Sequence, residues 1–222
     1  MLTEKIKQAL SLLSTPLVVD SMDELGLTDY LLDSDIRPIV PYSKIIGTAI
    51  TVQIEHTGDK EKANLDFLTK AYETTQNVLN PIISISVPDS LSKSSIFGSV
   101  AAVRSQMNGF SGALIGGSVR DTQELMKSNF PIFSNGISPG RITGRASAKS
   151  TGQPIEIGSA TISQGNIVYG DNDGVIVIPQ SKLSNIVDLA FEINTWEGEL
   201  KSFLTQGANY EQVIELIGKS PK

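Results

Sequence analysis

The sequence predicts an α/β fold with mixed sheets, and three observations predict it. Short β-branched runs alternate with segments whose apolar residues recur at helical spacing. The middle of the chain reads strand, helix, strand, the βαβ pattern of a parallel sheet. From Gln153 to Pro179 the texture changes to short apolar runs separated by turn residues, the mark of hairpins.

Each element has its own signals. Thr3 is placed to cap a first helix with Ile6, Ala9, Leu10 and Leu13 at helical spacing, ended by Thr15-Pro16. A short helix from Leu17 to Leu25 stops at Gly26. Ile45 to Ile54 is a strand of small and β-branched residues, and a helix from about Lys62 to Thr75 turns Ala63, Leu65, Phe67, Leu68 and Ala71 inward. Ile82 to Val87 is a strand bounded by Pro81 and Pro88. A helix opens near Gly98 and leads through Asn108-Gly109 into the strand Ala113-Leu114-Ile115, which Gly116-Gly117 closes. Arg120-Asp121 opens the next helix, before Pro131-Ile132-Phe133. The segment Ser134 to Ser150, rich in Gly, Ser and Arg, is expected to be a mobile loop. Hairpin turns follow at Gln164-Gly165-Asn166 and Asp171-Asn172-Asp173-Gly174. The C-terminus is helical from Gln180 to Thr205, breaks at Gly207 and ends in an amphipathic helix, Tyr210 to Ile217. The division is an α/β domain over 1–180 and a helical tail, 181–222, of the same domain.

Composition narrows the chemistry. With 222 residues and 40% hydrophobic content the chain can bury a sizeable core. Its 18 basic and 24 acidic residues sum to −6, the wrong sign for nucleic acid, which is not expected as a partner. Absence of cysteine excludes disulfides, thiolate zinc sites and thiol catalysis. The only histidine, His56, excludes every site needing two, and beside Glu55 at a strand end it reads as a surface residue. The N-terminus lacks a signal peptide's apolar stretch, and no run approaches the roughly 18 residues of a membrane span. A cytoplasmic protein without a membrane partner is expected.

Two motifs can carry chemistry. Gly116-Gly117-Ser118-Val119-Arg120-Asp121 puts a cation and an anion at the carboxyl edge of a sheet, where α/β proteins bind ligands. Arg120 can grip a carboxylate at two points, and Asp121 can give one hard oxygen to Mg²⁺. The plain alternative is a helix start stabilised by Asp121, with Arg120 in a surface pair. Gly98-Ser99-Val100-Ala101 opens a helix whose free N–H groups can hold a carboxylate or phosphate; the plain alternative is an ordinary Ser cap. Other matches fail. Ser90-Leu91-Ser92-Lys93 lacks the partners of an S-x-x-K site, and Gly140 to Ser150 lacks a contiguous G-K-[ST]. Asp171 to Gly174 lacks a calcium loop's downstream acid and reads as a turn. No glycine-rich dinucleotide or S-adenosylmethionine loop is present.

Taken in order, these pieces resemble the RraA-like family, which includes the 4-hydroxy-4-methyl-2-oxoglutarate aldolases. The resemblance runs through Val19-Asp20-Ser21-Met22-Asp23-Glu24-Leu25-Gly26, Gly47-Thr48-Ala49-Ile50-Thr51-Val52 and Gly98-Ser99-Val100-Ala101-Ala102. It continues in Gly117-Ser118-Val119-Arg120-Asp121 with Phe130-Pro131-Ile132-Phe133, and in Gly170 to Pro179. It implies a swivelling β/β/α fold, a homotrimer or hexamer, and a site at a subunit interface. It implies that Gly98, Ser99, Val100, Ala101 and Arg120 bind the pyruvate unit of a small 2-oxo acid. Asp121 would hold Mg²⁺ or Mn²⁺, and Arg120 with Asp121 would be catalytic. A tail carboxylate, Glu197 or Glu199, would reach a neighbour's site. The chain departs from the pattern at Ser99, where active aldolases carry an acid, at Gly116, where aspartate is frequent, and at Gln164-Gly165-Asn166 in place of P-G-D. Some relatives of the family that lack the acid instead bind ribonuclease E and inhibit it. The resemblance therefore implies a metal-dependent lyase, aldolase or decarboxylase, or else a non-enzymatic protein-binding regulator.

Overall fold

The computed structural model describes residues 1–58, 67–75 and 77–222. Thr3 caps α1 (Glu4–Leu12), its hydroxyl oxygen accepting from the Ile6 N–H at 3.2 Å. The following α2 (Thr15–Glu24) begins earlier than expected, because a proline early in the first turn has no N–H to leave unpaired. Its Thr15 N–H is taken instead by the Asp171 carboxylate at 2.9 Å. After the two-residue β1 (Arg37–Pro38) comes the long β2 (Ile45–His56), whose exposed end carries His56. Of the expected Lys62–Thr75 helix, α3 (Phe67–Glu73) is described; Lys62, Ala63, Leu65 and the Phe67 side chain lie outside the described residues.

The βαβ unit is present as β3 (Pro81–Ser86), β4 (Ser95–Phe97), α4 (Ser99–Met107) and β5 (Gly112–Val119), followed by α5 (Thr122–Leu125) and β6 (Ile132–Ile137). Two expectations are corrected here. Gly116-Gly117 does not close the central strand, which runs on to Val119. Ser134 to Ser150 is not a loop throughout: it contains most of β6 and of β7 (Ala146–Thr151), the latter paired antiparallel with β2 from Val52–Thr151 to His56–Ala146. The hairpins are β8 (Ile155–Ile157) with β9 (Ala160–Ile162), and β10 (Ile167–Asp171) with β11 (Gly174–Ile178). The Asp171–Gly174 turn is tied by the Asp173 N–H on the Asp171 carboxylate at 3.0 Å. A 3₁₀ turn then leads into α6 (Leu183–Thr205) and, after Gly207, α7 (Tyr210–Ile217). No helix among the described residues is long and apolar enough to cross a membrane.

The main sheet runs β1-β6-β5-β3-β2-β10-β11, parallel from β6 to β2 and antiparallel beyond. It curls until its ends nearly meet. The chain before β1 bridges the gap: Val177 and Leu32 N–H groups bond across between β11 and residues 30–32, while Ile39 bonds to β6. Side chains therefore alternate between an enclosed interior and an outer face. Ile45, Ala49, Ile82, Leu114, Phe133, Val168, Val175 and Val177 point inward. The β8–β9 hairpin fills the space between them with Ile155, Ile157, Ala160 and Ile162. Gly116 is what lets it in, since a Cβ there would stand 2.9 Å from Ile157 Cγ2. Two helical layers cover the outside. α3, α4 and α5 pack over β2, β3 and β5, and α1, α2 and the first half of α6 pack over β10 and β11.

Tyr169 locks the second layer down. Its hydroxyl donates to the Leu13 and Leu10 carbonyls at 2.5 and 3.1 Å, closing the end of α1 against β10. Burial, with Asp171 adding to it, pushes this phenol above its ordinary value of 10.0. The folded protein then holds a proton that the unfolded chain releases, so the stabilisation is complete below pH 10 and is lost as pH rises beyond it. The stability advantage of wild type over Tyr169→Phe should shrink by about 1.4 kcal/mol per pH unit above that value. Urea melts of both proteins from neutral pH upward measure this, and parallel curves would refute it.

Candidate functional site

Two adjacent parallel strands deliver the two motifs to one edge of the sheet. Phe97 of β4 is paired with Val119 of β5, and the Arg120 N–H bonds to the Phe97 carbonyl at 3.0 Å. The residues that follow, Gly98-Ser99 and Arg120-Asp121, must therefore lie side by side. Gly98 is required by space rather than by its dihedrals. A Cβ there would stand 2.6 Å from Asp121 Oδ2 and 3.1 Å from Arg120 Cγ.

Asp121 has left-handed backbone angles, φ 59° and ψ 34°, which aspartate tolerates better than most residues. It precedes α5 without capping it. Its Oδ2 reaches across to the start of α4, accepting from Ser99 N–H at 3.1 Å and Ser99 Oγ at 3.2 Å. Arg120 Nε lies 3.8 Å from the same oxygen. No hydrogen bond from a described residue reaches Oδ1. The first bond within α4 is from the Ala102 N–H to the Gly98 carbonyl, so Val100 and Ala101 keep free N–H groups.

These groups border a cavity of about 180 Å³, walled by Phe97, Gly98, Val100, Ala101 and Ile142, and by three arginines, Arg104, Arg120 and Arg141. Asp121 is its sole carboxylate among the described residues. A second, wider cavity of about 570 Å³ lies across the Arg120–Asp121 ridge, with Glu124, Lys127 and Ile137 on its walls. Five of the six residues singled out in the sequence thus border one cavity. Ser99 does not line it; its hydroxyl is spent on fixing the Asp121 carboxylate. Glu197 and Glu199 lie on α6 and line neither cavity; Glu197 holds Lys201 at 2.6 Å. Sequence reasoning missed Arg104 and Arg141. The first had a signal, since it follows Val100 by one helical turn.

The donor set defines which metal could be held. No group of three or more His, Cys, Asp or Glu side chains gathers among the described residues. One carboxylate with one free oxygen fits Mg²⁺ or Mn²⁺ keeping most of its waters, and does not fit a metal that needs an all-protein cage. The surrounding guanidinium charge opposes a bare cation.

Residues 15–177 match the family described as RraA-like, Aldolase/RraA. The chain is 27% identical over 198 residues to protein DlpA of Legionella pneumophila, a match covering 89% of this chain but only 31% of that longer protein. It is 32% identical over 181 residues, 79% of this chain and 77% of the relative, to a Halalkalibacterium halodurans protein provisionally named 4-hydroxy-4-methyl-2-oxoglutarate aldolase. Among solved structures, Streptomyces coelicolor RraAS2, described as an unusual member of the RNase ES inhibitor RraA protein family, superposes with a TM-score of 0.76. That match covers 90% of this chain and 97% of the other at 22% identity, a likeness of fold.

The geometry separates the structural and chemical roles of Asp121. Asp121→Asn keeps an oxygen for the Ser99 N–H and tolerates the left-handed backbone, so its stability should stay within about 0.5 kcal/mol of wild type. Asp121→Ala loses both and should cost about 1–3 kcal/mol. Denaturant melts compare them; equal stabilities would show that neither the cap nor the backbone angle matters.

Proposed function

The chain belongs to the RraA-like family, and on that premise we propose that it is a divalent-metal-dependent lyase, an aldolase or decarboxylase acting on small 2-oxo acids through a pyruvate enolate. The observation that carries this reading is the convergence on one cavity of Arg120, the free Val100 and Ala101 N–H groups and the unpaired Asp121 Oδ1. A carboxylate donating no proton suits the N–H groups of a helix start and the planar fork of Arg120. Held at both, the 2-oxo acid is oriented so that its breaking C–C bond lines up with the carbonyl π system. The bond's electrons form the enolate, and the other fragment leaves as CO₂ or as a carbonyl compound whose hydroxyl proton passes to water. The enolate carbon then takes a proton from water. When bound, Mg²⁺ or Mn²⁺ would be held by Asp121 and would supply positive charge to the developing enolate oxygen. Ser99 holds Asp121 Oδ2 through its N–H and its hydroxyl, leaving Oδ1 without a hydrogen bond from a described residue.

The site is open on one side of the protomer. Val100, Val103 and Met107 form an exposed apolar row on α4 beside it, and Tyr210, Ile214 and Ile217 form another on α7. Both suit burial in a homotrimer or hexamer, in which a neighbour shields the site from water and a tail carboxylate can reach it. Of the two tail acids, Glu199 makes no ion pair with a described residue. The proposed setting is the cytoplasm. One observation favours the alternative, a protein-binding regulator of the same fold: Ser99 stands where a second carboxylate would strengthen a thin metal site.

Turnover distinguishes the two. Wild type should decarboxylate oxaloacetate slowly with Mg²⁺, above the rate of the free metal, and Asp121→Asn should lose the metal dependence. Arg120→Ala should lose most activity, and Arg120→Lys should not restore it, since an ammonium lacks the two-point grip. Ser99→Ala, which removes the hydroxyl that holds Asp121 Oδ2, should lower the rate about tenfold, the value of ~1.4 kcal/mol. A wild type inert towards oxaloacetate with Mg²⁺ would favour the regulator reading. Light scattering checks the assembly: a monomer at micromolar concentration would remove the shielding neighbour from the mechanism.

A further inference from the structure

A third cavity lies away from the sheet edge, where α2 meets the chain that bridges the gap beside β11. It holds about 350 Å³, within the roughly 300–1,000 Å³ usual for small-molecule sites. Its base is apolar, with Leu32, Val175 and Ile176 buried and Val19 half-buried. Its rim is charged: Arg37 comes from β1, Asp20 from α2 and Asp173 from the β10–β11 turn. The Arg37 guanidinium lies against that turn, since a Cβ on Gly174 would stand 3.7 Å from Nη1. Arg37 forms no ion pair with a described residue, and Nη1 donates to the neighbouring Ile36 carbonyl at 3.0 Å. The Asp20 and Asp173 carboxylates accept no hydrogen bond from a described residue. Asp171, by contrast, is fully used, with one oxygen on the Thr15 N–H and the other on the Asp173 N–H. Thr15 also borders the cavity; it is 4% exposed, and its Oγ1 has no hydrogen-bond partner. A buried hydroxyl left in that state costs stability, and at a cavity wall a ligand can relieve it. Burial, followed by the charges of Glu197, Asp23 and Glu24, raises the Asp20 carboxyl above its ordinary range, the response of a carboxylate short of positive charge. The break in the described residues after Gly58 follows the other end of β2: Gly170, beside the turn, pairs with Ile45, and His56 ends the strand roughly 35 Å further on.

We propose that this cavity binds a free apolar α-amino acid. Arg37 receives its carboxylate, Asp20 and Asp173 receive its ammonium group, and its side chain covers the apolar base. The Thr15 hydroxyl donates to a ligand oxygen. Charges of both signs around an apolar base complement a zwitterion with an apolar body: a simple carboxylic acid leaves the two aspartates unmatched, and a simple amine leaves the guanidinium unmatched. Bound there, the amino acid ties α2 to the β10–β11 hairpin and to the bridging chain. The site requires binding alone and stands apart from both readings of the sheet-edge site.

The test is binding of four probes to the intact protein by calorimetry. L-Leucine carries the whole pattern; 3-methylbutylamine keeps its body and ammonium group, 4-methylpentanoate keeps its body and carboxylate, and L-alanine keeps both charges with little of the body. Leucine should bind more tightly than each of the others by about fivefold or more, the effect of one partly exposed charge contact or of the apolar body. Arg37→Gln should bring leucine down to the level of the amine, and the double variant Asp20→Asn with Asp173→Asn to the level of the acid. Thr15→Val removes a hydroxyl that has no partner within the chain, so it should melt no lower than wild type and yet bind leucine about threefold more weakly. Arg120→Ala should bind leucine as wild type does. Leucine that fails to bind, or binds no better than the amine or the acid, overturns the proposal. So does an unchanged affinity in both Arg37→Gln and the double Asn variant. Leucine binding that disappears in Arg120→Ala overturns it as well, because the amino acid would then occupy the sheet-edge cavity.

Discussion

A sheet that curls until its edges nearly meet encloses a space that must be filled, and much of this structure follows from how that is done. The strands alone do not fill it: alongside Ile45, Ile82, Leu114 and Phe133 stand the small Ala49 and Gly116. The β8–β9 hairpin supplies the missing volume, with four apolar side chains seated against Gly116. Interiors of this kind tolerate little change in volume, so glycine at 116 and isoleucine at 157 are two halves of one packing solution. With the interior full, helices can cover only the outer face, in two separate layers. The edge left clear of both layers is where β4 and β5 end.

At that edge the backbone does most of the positioning. Parallel pairing of β4 with β5 sets Gly98 against Asp121, and the absence of a Cβ lets the carboxylate come within bonding distance of Ser99. The left-handed conformation at Asp121 is a local strain of the sort that concentrates at functional sites, offset here by two hydrogen bonds to one oxygen. The same arrangement leaves the second oxygen without a hydrogen bond from a described residue. One helix start then presents both an occupied N–H, at Ser99, and free ones, at Val100 and Ala101.

The balance of charge gives the site its character. The chain as a whole is acidic, at −6, yet the cavity wall is cationic, with three arginines to one aspartate. The two signs are separated in space, because a whole-chain sum says nothing about which side chains a fold gathers at one place. Whole-chain composition was silent about this cavity.

How much of this was legible follows from what each feature depends on. Periodicity, caps and breakers are local, so α1, β2, β3, α4, α6, α7 and the Asp171–Gly174 turn could be read directly, as could both motifs of the site. β7 could not, because Ala146 to Thr151 has almost no apolar alternation and is held as a strand by pairing with β2. Gly116-Gly117 looked like a stop for the same reason: glycine's usual local meaning is a break, and here it makes room for Ile157 and Val87. The sequence by itself determined the element types, the family resemblance and which arginine and aspartate to examine. Only the tertiary structure decided that Ser99 serves Asp121 rather than the cavity, and that Arg104 and Arg141 share a wall with Arg120. Those relations join residues 16 to 37 positions apart through strand pairing and sheet curvature, and no local pattern along the chain encodes which loops a curled sheet brings together.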